Sequence, residues 1–286
     1  MKKAALLICF LFAALGASAQ TEVRFHNEAA DTVTITGWLD AANGKTFANP
    51  EARVEFFARM FEGKPYGAHT LEGDTEVLTV NLDSVDCTTF VEYALALAYT
   101  VGEDRHSWRD FVYNLQRLRY RNGEVDGYPS RLHYICDWAV DNIHRGNFRD
   151  ATRDITRPAE LTRTIDFMSA NRSAYPALAD SANYARIRSI EGGYRRHLFP
   201  YIKTVDLGNK AVKAKLHSGD VAALVTNIKN LDVTHMGIIV KDAAGEPYLL
   251  HASSKDGKVE VSARPLSDFM KKNRQWLGVR VFRLNQ

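Results

Sequence analysis

Residues 220–240 read DVAALVTNIKNLDVTHMGIIV, and residues 248–253 read YLLHAS. Both stretches hold short runs of β-branched and other apolar residues, bounded by polar or turn-forming residues, which is typical of β-strands. A short turn at Ala244-Gly245 separates two of these runs, as in an antiparallel hairpin. This part of the chain predicts five strands: Val221–Thr226, Met236–Val240, Tyr248–Ser253, Lys258–Val261 and Leu277–Leu284.

The chain before these strands has a helical period. Apolar residues recur there at spacings of three and four, as in helices with one buried face. Residues 22–37 are mixed, with a short alternating run at Val33–Ile35. Helices followed by strands favour an α+β fold, in which helices pack on an antiparallel sheet, over an alternating α/β fold. The helices are expected at Glu51–Glu62, Phe90–Val101, Ser107–Leu118, Leu132–Ile143 and Pro158–Met168.

The composition is that of a globular protein. Of 286 residues, 45% are hydrophobic and 25% are charged, which excludes a disordered chain, a collagen-like repeat and a coiled coil. The 37 basic and 34 acidic residues give a formal net charge of +3, which is too balanced to favour nucleic-acid binding. Since no Pro-, Gly- or Ser-rich linker divides the chain, residues 20–286 are interpreted as one domain with helical insertions.

Residues 1–19 have the features of a secretory signal peptide. Lys2 and Lys3 precede an apolar run over residues 4–15, and residues 17–19 form the small-residue cleavage pattern Ala-Ser-Ala. The apolar run is shorter than the roughly 20 residues that a membrane span requires. We therefore expect cleavage after Ala19 and a periplasmic or secreted protein without a membrane span.

Cys87 carries the strongest chemical signal in the sequence. It lies where polar residues give way to an apolar helix, and Asp86 before it is a plausible helix cap. A cysteine in the first turn of a helix is a candidate nucleophile, because the positive end of the helix stabilises the thiolate. The alternative is a small buried hydrophobic residue, which a free cysteine usually is. The sequence also leaves open a disulfide between Cys87 and Cys136.

A candidate base follows far downstream. His235 begins a predicted strand 148 residues after Cys87, within the spacing of roughly 130–150 residues seen in papain-like enzymes. A hairpin that turns near Ala243 would place His251 directly opposite His235 on one face of the sheet. His251 could then orient the His235 ring, as the third member of a catalytic triad does. The alternative is two structural histidines at strand ends.

Several strings together carry a resemblance to a known family. The strings DCTTF at 86–90, SGDV at 218–221, HMGI at 235–238 and HAS at 251–253 resemble the NlpC-type branch of papain-like cysteine peptidases, which hydrolyse amides in bacterial peptidoglycan. The longer strings are VNLDSVDCTTFVE at 80–92 and DGYPSRLHY at 126–134. With them, the chain from about residue 50 to its end resembles the N-acetylmuramoyl-L-alanine amidase-like family.

The resemblance implies both a fold and an activity. It implies a papain-like α+β core and a triad of Cys87, His235 and His251. The implied reaction is cleavage of the amide between the muramic lactyl group and L-alanine, with small 1,6-anhydro-muropeptides preferred over intact wall. Peptidoglycan fragments are then the expected partners, a monomer is the expected state, and neither a metal nor another cofactor is implied.

Substrate-binding residues are expected in two places. Tyr66 resembles the tyrosine near the active site of NlpC-type enzymes, and its alternative is an aromatic residue in a turn. Ser130, Arg131, His133 and Tyr134 lie where a loop enters a predicted helix. A guanidinium group and ring hydroxyls suit a sugar or a peptide carboxylate. The alternative for this group is a helix capped by Ser130 beside a solvated arginine.

Three other functions remain open from sequence. A metal amidase is disfavoured because the chain lacks a His-Glu-x-x-His run. A non-catalytic wall-binding protein is disfavoured by the intact cysteine and both histidines. An endopeptidase of the same superfamily, cutting between D-glutamate and the diamino acid of the stem peptide, is the nearest alternative within the cysteine enzymes.

Overall fold

The computed structural model describes residues 22–285, so the predicted signal peptide at 1–19 lies outside the described residues. The helices are α1 Glu28–Asp40, α2 Pro50–Arg59, α3 Cys87–Gly102, α4 Trp108–Arg119, α5 Ile135–His144, α6 Thr152–Ile155, α7 Phe167–Ala170, α8 Ser181–Gly193, α9 Lys210–Lys215 and α10 Leu266–Lys271. The strands are β1 Val23–Phe25, β2 Leu78–Val80, β3 Phe148–Asp150, β4 Ala159–Thr162, β5 Leu198–Lys203, β6 Val221–Thr226, β7 Val233–Lys241, β8 Pro247–Ser253, β9 Lys258–Val261 and β10 Trp276–Leu284.

The main sheet is antiparallel and follows the order β4-β5-β10-β6-β7-β8-β9, with β3 also paired to β10. Strands β6 to β9 form a meander, and β10 returns along the other side of β6. All five strands predicted from the sequence are present in this sheet. The chain is therefore α+β, with helices packed against an antiparallel sheet. A separate parallel pair joins β1 to β2.

Helix α3 is the central helix of the core. The Asp86 side chain accepts hydrogen bonds from the backbone N–H groups of Thr88 and Thr89, and the Thr89 hydroxyl closes a capping box with the Asp86 backbone. Every residue from Thr89 to Thr100 is buried. A helix that is apolar on all sides belongs in the interior. It packs against α2, α4 and β7, and this packing brings its first residue to the sheet.

One predicted segment is wrong, and the segment that the sequence leaves mixed is helical. The run at Val33–Ile35 is part of α1, which Asn27 caps through a hydrogen bond from the Ala30 N–H. Pro158–Met168 is not one helix: it contains edge strand β4 and only the start of α7. Exposure alternates along β4 with a period of two, because its alternate side chains face the protein and the solvent. Pairing with β5, a strand absent from the sequence prediction, decides its conformation.

The Ser218-Gly219-Asp220 turn anchors β6 to the helical layer. Gly219 has φ +92°, and a Cβ there would lie 1.9 Å from the Glu51 carbonyl oxygen, so only glycine fits. The buried Asp220 carboxylate accepts hydrogen bonds from the Arg283 guanidinium at 2.7 and 2.8 Å and from the His217 N–H. This motif therefore has a structural role.

Among residues 22–285, no helix combines the length and the apolar character that crossing a membrane requires.

Candidate active site

Cys87 is the first residue of α3, as the sequence predicts. The Asp86 cap uses the backbone N–H groups of Thr88 and Thr89. Where α3 packs on β7, the backbone N–H of Met236 acts to lower the pKa of the Cys87 thiol and so favours its thiolate. His235 is the residue before Met236 on β7. Both Cys87 and Cys136 are free, so the structure contains no disulfide between them.

His235 and His251 form a direct hydrogen-bonded pair. His235 Nε2 lies 2.9 Å from His251 Nδ1, and the two rings stand edge to face with their centroids 4.9 Å apart. The predicted register is wrong: the residue opposite His251 lies two positions further along β7 than expected. The hairpin pairs Ile238 with Leu250, so the residue opposite His251 is Gly237 and the histidines are diagonal neighbours. The contact forms nonetheless, because diagonal positions are within reach of long side chains.

A β-bulge helps to aim His235. In the pairing of β6 with β7, Leu224 lies opposite His235 but Val225 lies opposite Val233, which leaves Thr234 as an extra residue. Such bulges turn side chains near active sites. The sequence shows no sign of this bulge, because its residues are ordinary strand formers.

Burial keeps the resting site uncharged. It raises the pKa of the Cys87 thiol to about 12, and the negative charge of Asp86 acts in the same direction. Burial lowers the pKa of His235 to about 3, with a further decrease from His251, and lowers the pKa of His251 to about 4. Burial thus opposes the stabilisation of the thiolate that the helix end provides. These directions favour a neutral thiol at Cys87 and neutral imidazoles at His235 and His251.

Tyr66 lies beside the nucleophile. Two backbone hydrogen bonds hold the chain at Tyr66 in place. The Gly67 N–H donates to the carbonyl of Val85, just before α3, at 3.1 Å, and the Tyr66 N–H donates to the Gly257 carbonyl at 2.8 Å. Burial raises the pKa of the Tyr66 hydroxyl, and the negative charge of Asp86, and of Cys87 once it is ionised, acts in the same direction. The phenol therefore remains protonated and can donate a hydrogen bond at the site.

Side chains between Tyr128 and Tyr134 are engaged in hydrogen bonds to other groups of the protein. Ser130 does not cap α5, which begins at Ile135; its Oγ accepts the Asp126 N–H at 2.9 Å and donates to the Gly127 carbonyl at 2.7 Å. His133 Nε2 lies 2.9 Å from the Tyr128 carbonyl oxygen, and burial lowers the pKa of His133 to about 3.

Arg131 and Tyr134 are also engaged by protein groups. The Arg131 guanidinium donates to Glu72 at 2.9 Å and lies 3.4 Å from the Glu76 carboxylate. The Tyr134 hydroxyl donates to Glu191 at 2.8 Å inside a separate apolar cluster. Within residues 22–285 no hydrogen bond joins Ser130, Arg131, His133 or Tyr134 to Cys87, His235 or His251, so their substrate role stays a prediction.

The family model of N-acetylmuramoyl-L-alanine amidase-like (AmiA-like) proteins matches residues 56–279. The chain belongs to the AmiA-like family. An N-acetylmuramoyl-L-alanine amidase from Bacteroides uniformis, known from a crystal structure, shares 38% sequence identity with this chain. The two structures match with a TM-score of 0.75 over 82% of this chain and 99% of that one. No curated protein matches the chain.

Two further structures resemble this AmiA-like chain. A Bacteroides fragilis protein described as a candidate xylanase is 40% identical with a TM-score of 0.74, covering 79% of this chain and 98% of that one. A Legionella pneumophila protein is 20% identical with a TM-score of 0.70, covering 90% of this chain and 97% of that one. The last similarity concerns the fold alone.

Two aromatic residues at the AmiA-like site escape sequence analysis. The Phe269 ring meets His251 edge to face with centroids 5.1 Å apart, and the Trp276 ring is parallel to that of His235 within 14° at 6.5 Å. They come from α10 and β10, on either side of a short loop. Their positions depend on the return of β10 to the sheet, and no local motif marks them.

One group in this AmiA-like chain has the residue types of a metal site. In the part of the chain that the structure describes, Glu51, His217 and Asp220 place ligand atoms within 4.8 Å of one another. Arg283 Nε, however, lies 3.1 Å from Glu51 and 2.7 Å from Asp220, so a cation already occupies this carboxylate pair. The group holds β10, α2 and the Ser218-Gly219-Asp220 turn together.

Proposed function

We propose that this AmiA-like protein is a cysteine-dependent N-acetylmuramoyl-L-alanine amidase with a papain-like, NlpC-type core. Its substrates are peptidoglycan fragments, and it cuts the amide between the muramic lactyl group and L-alanine in anhydro-muropeptides. The observation that carries the proposal is the 2.9 Å bond between His235 and His251 on two strands, β7 and β8, that pack against the helix opened by Cys87.

The first step is proton transfer coupled to attack. When His235 Nε2–H donates to His251 Nδ1, the His235 Nδ1 is unprotonated and can take the thiol proton of Cys87. Because both groups are neutral at rest, the thiolate forms as it attacks the lactyl carbonyl carbon. His251 holds the ring of the base in this tautomer, as the third member of a triad does.

The second requirement is a donor for the oxyanion. The Thr88 and Thr89 N–H groups are taken by Asp86, whereas among residues 22–285 the Cys87 N–H has no acceptor on another residue. This N–H, at the positive end of α3, is the candidate oxyanion donor, and the protonated Tyr66 hydroxyl is a second. One such donor contributes about 10²–10³ in rate.

The reaction then follows acyl transfer. The Cys87 sulfur forms a thioester with the lactyl carbon, the C–N bond to L-alanine breaks, and protonated His235 gives its proton to the leaving amine. A water molecule, deprotonated by His235, hydrolyses the thioester. The products are anhydro-muramic acid with a free lactyl carboxylate and a stem peptide that begins with L-alanine.

The acidic residues around Cys87 support the amidase over the endopeptidase. An endopeptidase that acts after D-glutamate would need a free carboxylate for the ammonium group of L-alanine. The Asp86 carboxylate is used by Thr88 and Thr89, and the exposed Asp83 lies 3.5 Å from His26.

A glycosidase would need two facing carboxyl groups, while the groups gathered on β7 and β8 are imidazoles.

Mass spectrometry of the products tests the proposal. Residues 20–286 are incubated with a defined anhydro-muropeptide, in parallel with the Cys87→Ser variant. The expected products are free anhydro-muramic acid and an intact stem peptide from the wild type, and none from the variant. Products that keep L-alanine on the sugar would support the endopeptidase, and binding without turnover would support a wall-binding protein. Activity equal in both proteins would exclude the cysteine mechanism.

The cellular location belongs to the same proposal. Cleavage after Ala19 would deliver the protein to the periplasm or the medium, where peptidoglycan fragments occur. N-terminal sequencing of the protein from fractionated cells, expected to begin at Gln20, tests this part separately.

A further inference from the structure

We infer that Phe269 and Trp276 are positioning residues that hold the two histidines in catalytic orientation. We call these two residues the aromatic clamp. The inference rests on the proposed function, since it assigns a role in the reaction of Cys87 and His235. It concerns residues that lie outside every motif of the sequence.

The clamp and the histidines form a closed cycle of four rings. His235 contacts His251, with centroids 4.9 Å apart, and His251 meets Phe269 at 5.1 Å. Phe269 stacks on Trp276 at 5.2 Å with planes 25° apart, and Trp276 is parallel to His235 within 14° at 6.5 Å. These separations lie in the range of favourable aromatic pairs. Each imidazole therefore has an aromatic neighbour in addition to the other imidazole.

A second β-bulge places the tryptophan. In the pairing of β10 with β6, Trp276 lies opposite Thr226 but Gly278 lies opposite Val225, which leaves Leu277 as the extra residue. The bulge on β7 at Thr234 is at the same end of β6. Bulges re-aim side chains, so His235 and Trp276 are both turned by irregularities that flank one strand end.

A hydrogen bond joins the clamp to the strand of the base. Trp276 Nε1–H donates to Thr234 Oγ1 at 3.1 Å, and Thr234 directly precedes His235. The indole is thereby fixed both to the bulge that aims the base and beside the ring of the base. Phe269 lies against the ring that orients the base, so the two clamp residues act on different histidines.

The bond between the histidines gives a reason for the clamp. A bond between two neutral imidazoles lacks the charge that strengthens an aspartate–histidine bond. Both rings could rotate about their side-chain torsions, and a misplacement of about 1 Å can cost about 10²-fold in rate. Aromatic walls limit this rotation and keep water from the Nε2–Nδ1 bond. The expected effect is on the chemical step rather than on substrate affinity.

Simple packing is the competing explanation. Phe269 and Trp276 are half-buried and touch the apolar cluster formed by β6, β8, β10 and α10. A packing role would lower thermal stability, and any loss of activity would follow the unfolded fraction. A positioning role lowers kcat at temperatures where the variant is fully folded.

The experiment compares four single variants of residues 20–286. Trp276→Ala removes the ring, Trp276→Phe keeps a ring but removes the N–H, Phe269→Leu keeps volume without a ring, and Tyr113→Ala changes an aromatic residue that is 55% exposed. Circular dichroism establishes the temperature range in which each variant is folded. Within it, kcat and KM are measured, and the rate at which iodoacetamide alkylates Cys87 is followed by peptide mass spectrometry.

Trp276→Ala is expected to lower kcat by about 10- to 100-fold with KM changed less than about twofold. Trp276→Phe is expected to recover most of this loss, Phe269→Leu to lose about tenfold, and Tyr113→Ala to match the wild type. Alkylation of Cys87 is expected to slow with kcat, because the same imidazole assists both. Unchanged kcat in folded Trp276→Ala, or no recovery in Trp276→Phe, would overturn the inference. If the wild type has no turnover, the proposed function fails, and the alkylation rates alone decide the inference.

Discussion

Gly237 lies opposite His251 across the β7–β8 hairpin, and the missing side chain of the glycine makes room for the imidazole. A Cβ on Gly237 would stand 3.0 Å from the His251 Cβ and 2.6 Å from the Leu250 carbonyl oxygen. Neither the Leu250 carbonyl group nor the His251 Cβ can give way without moving β8. The close approach of His251 to His235 therefore depends on a residue that carries no chemistry.

Gly237→Ala is expected to reduce kcat/KM by at least about tenfold, because β8 must shift and a small misplacement of a catalytic group is costly. Steady-state kinetics and thermal unfolding measure the effect. The matched control is Gly37→Ala, at a glycine with nothing within 4 Å of the added Cβ. Equal activity of the two variants would show that the hairpin tolerates the methyl group.

Substitutions in the triad should differ in severity. Cys87→Ala is expected to abolish turnover, His235→Ala to be nearly as severe, and His251→Ala to be milder, because His251 acts through the base. The double variant of His235 and His251 should lose little more than His235→Ala alone, since members of one catalytic unit are not additive.

Steady-state kinetics on the purified variants measures these losses, and circular dichroism checks their folding. Cys136→Ala is the matched control, because Cys136 is a buried free cysteine in a different apolar cluster. Substantial activity in Cys87→Ala, or a large loss in folded Cys136→Ala, would contradict the assignment of the nucleophile.

Much of this site could be predicted from the sequence, and the exceptions have physical causes. Cys87 at a helix start and two histidines on adjacent strands follow from local capping and from strand periodicity. The register of the hairpin does not follow from the sequence. The hairpin is centred one residue later than expected, which places Gly237 rather than His235 opposite His251. Phe269 and Trp276 do not follow from the sequence either, because their placement depends on the return of β10 across the sheet.

The loop at 126–134 shows the same limit from another side. Donors and rings cluster there in sequence, but sequence does not show which of them the protein itself uses. The Tyr134 hydroxyl is bound by Glu191, and Arg131 by Glu72 and Glu76, which are all 55 or more positions away in the sequence. Such long-range partners are set by tertiary packing and not by local pattern.

The pH dependence should reflect the neutral resting pair. Burial lowers the pKa of His235 to about 3 and that of His251 to about 4, so the base stays unprotonated as the pH falls through the usual histidine range. We expect kcat/KM to stay level from about pH 8 to about pH 5, with no decrease near 6.5. Alkylation of Cys87 should rise above its imidazole-assisted rate up to about pH 9, because burial raises the pKa of the thiol to about 12 and free thiolate keeps increasing with pH.

Both profiles report on the free enzyme. The kcat/KM profile is measured at substrate concentrations well below KM, and the alkylation profile is measured with iodoacetamide. The sign follows from the direction of each shift. A lowered histidine pKa extends activity toward acid, and a raised thiol pKa removes any plateau of thiolate at neutral pH. A decrease in kcat/KM centred near pH 6.5, or alkylation that is already constant at pH 7, would indicate a resting thiolate–imidazolium pair instead.

Arg131 combines a predicted substrate role with a clear structural one. Its side chain is 8% exposed and lies 3.4 Å from the Glu76 carboxylate, which is 5% exposed. Arg131→Met alone would leave that carboxylate without its cation, at a cost of about 3–5 kcal/mol in the free energy of unfolding. A drop in activity of this variant would therefore not distinguish substrate binding from unfolding.

The double variant Arg131→Met with Glu76→Gln separates the two roles. Removing both charges is expected to recover most of the stability, because a neutral buried pair carries little desolvation cost. The remaining Glu72 is 43% exposed and can be solvated without its partner. If the guanidinium also binds the sugar-bearing part of the substrate, the stable double variant should still show kcat/KM lowered by about tenfold, as for the loss of one charged hydrogen bond. Chemical denaturation and kinetics on an anhydro-muropeptide measure the two effects, and unchanged kcat/KM in the stable double variant would remove Arg131 from the substrate site.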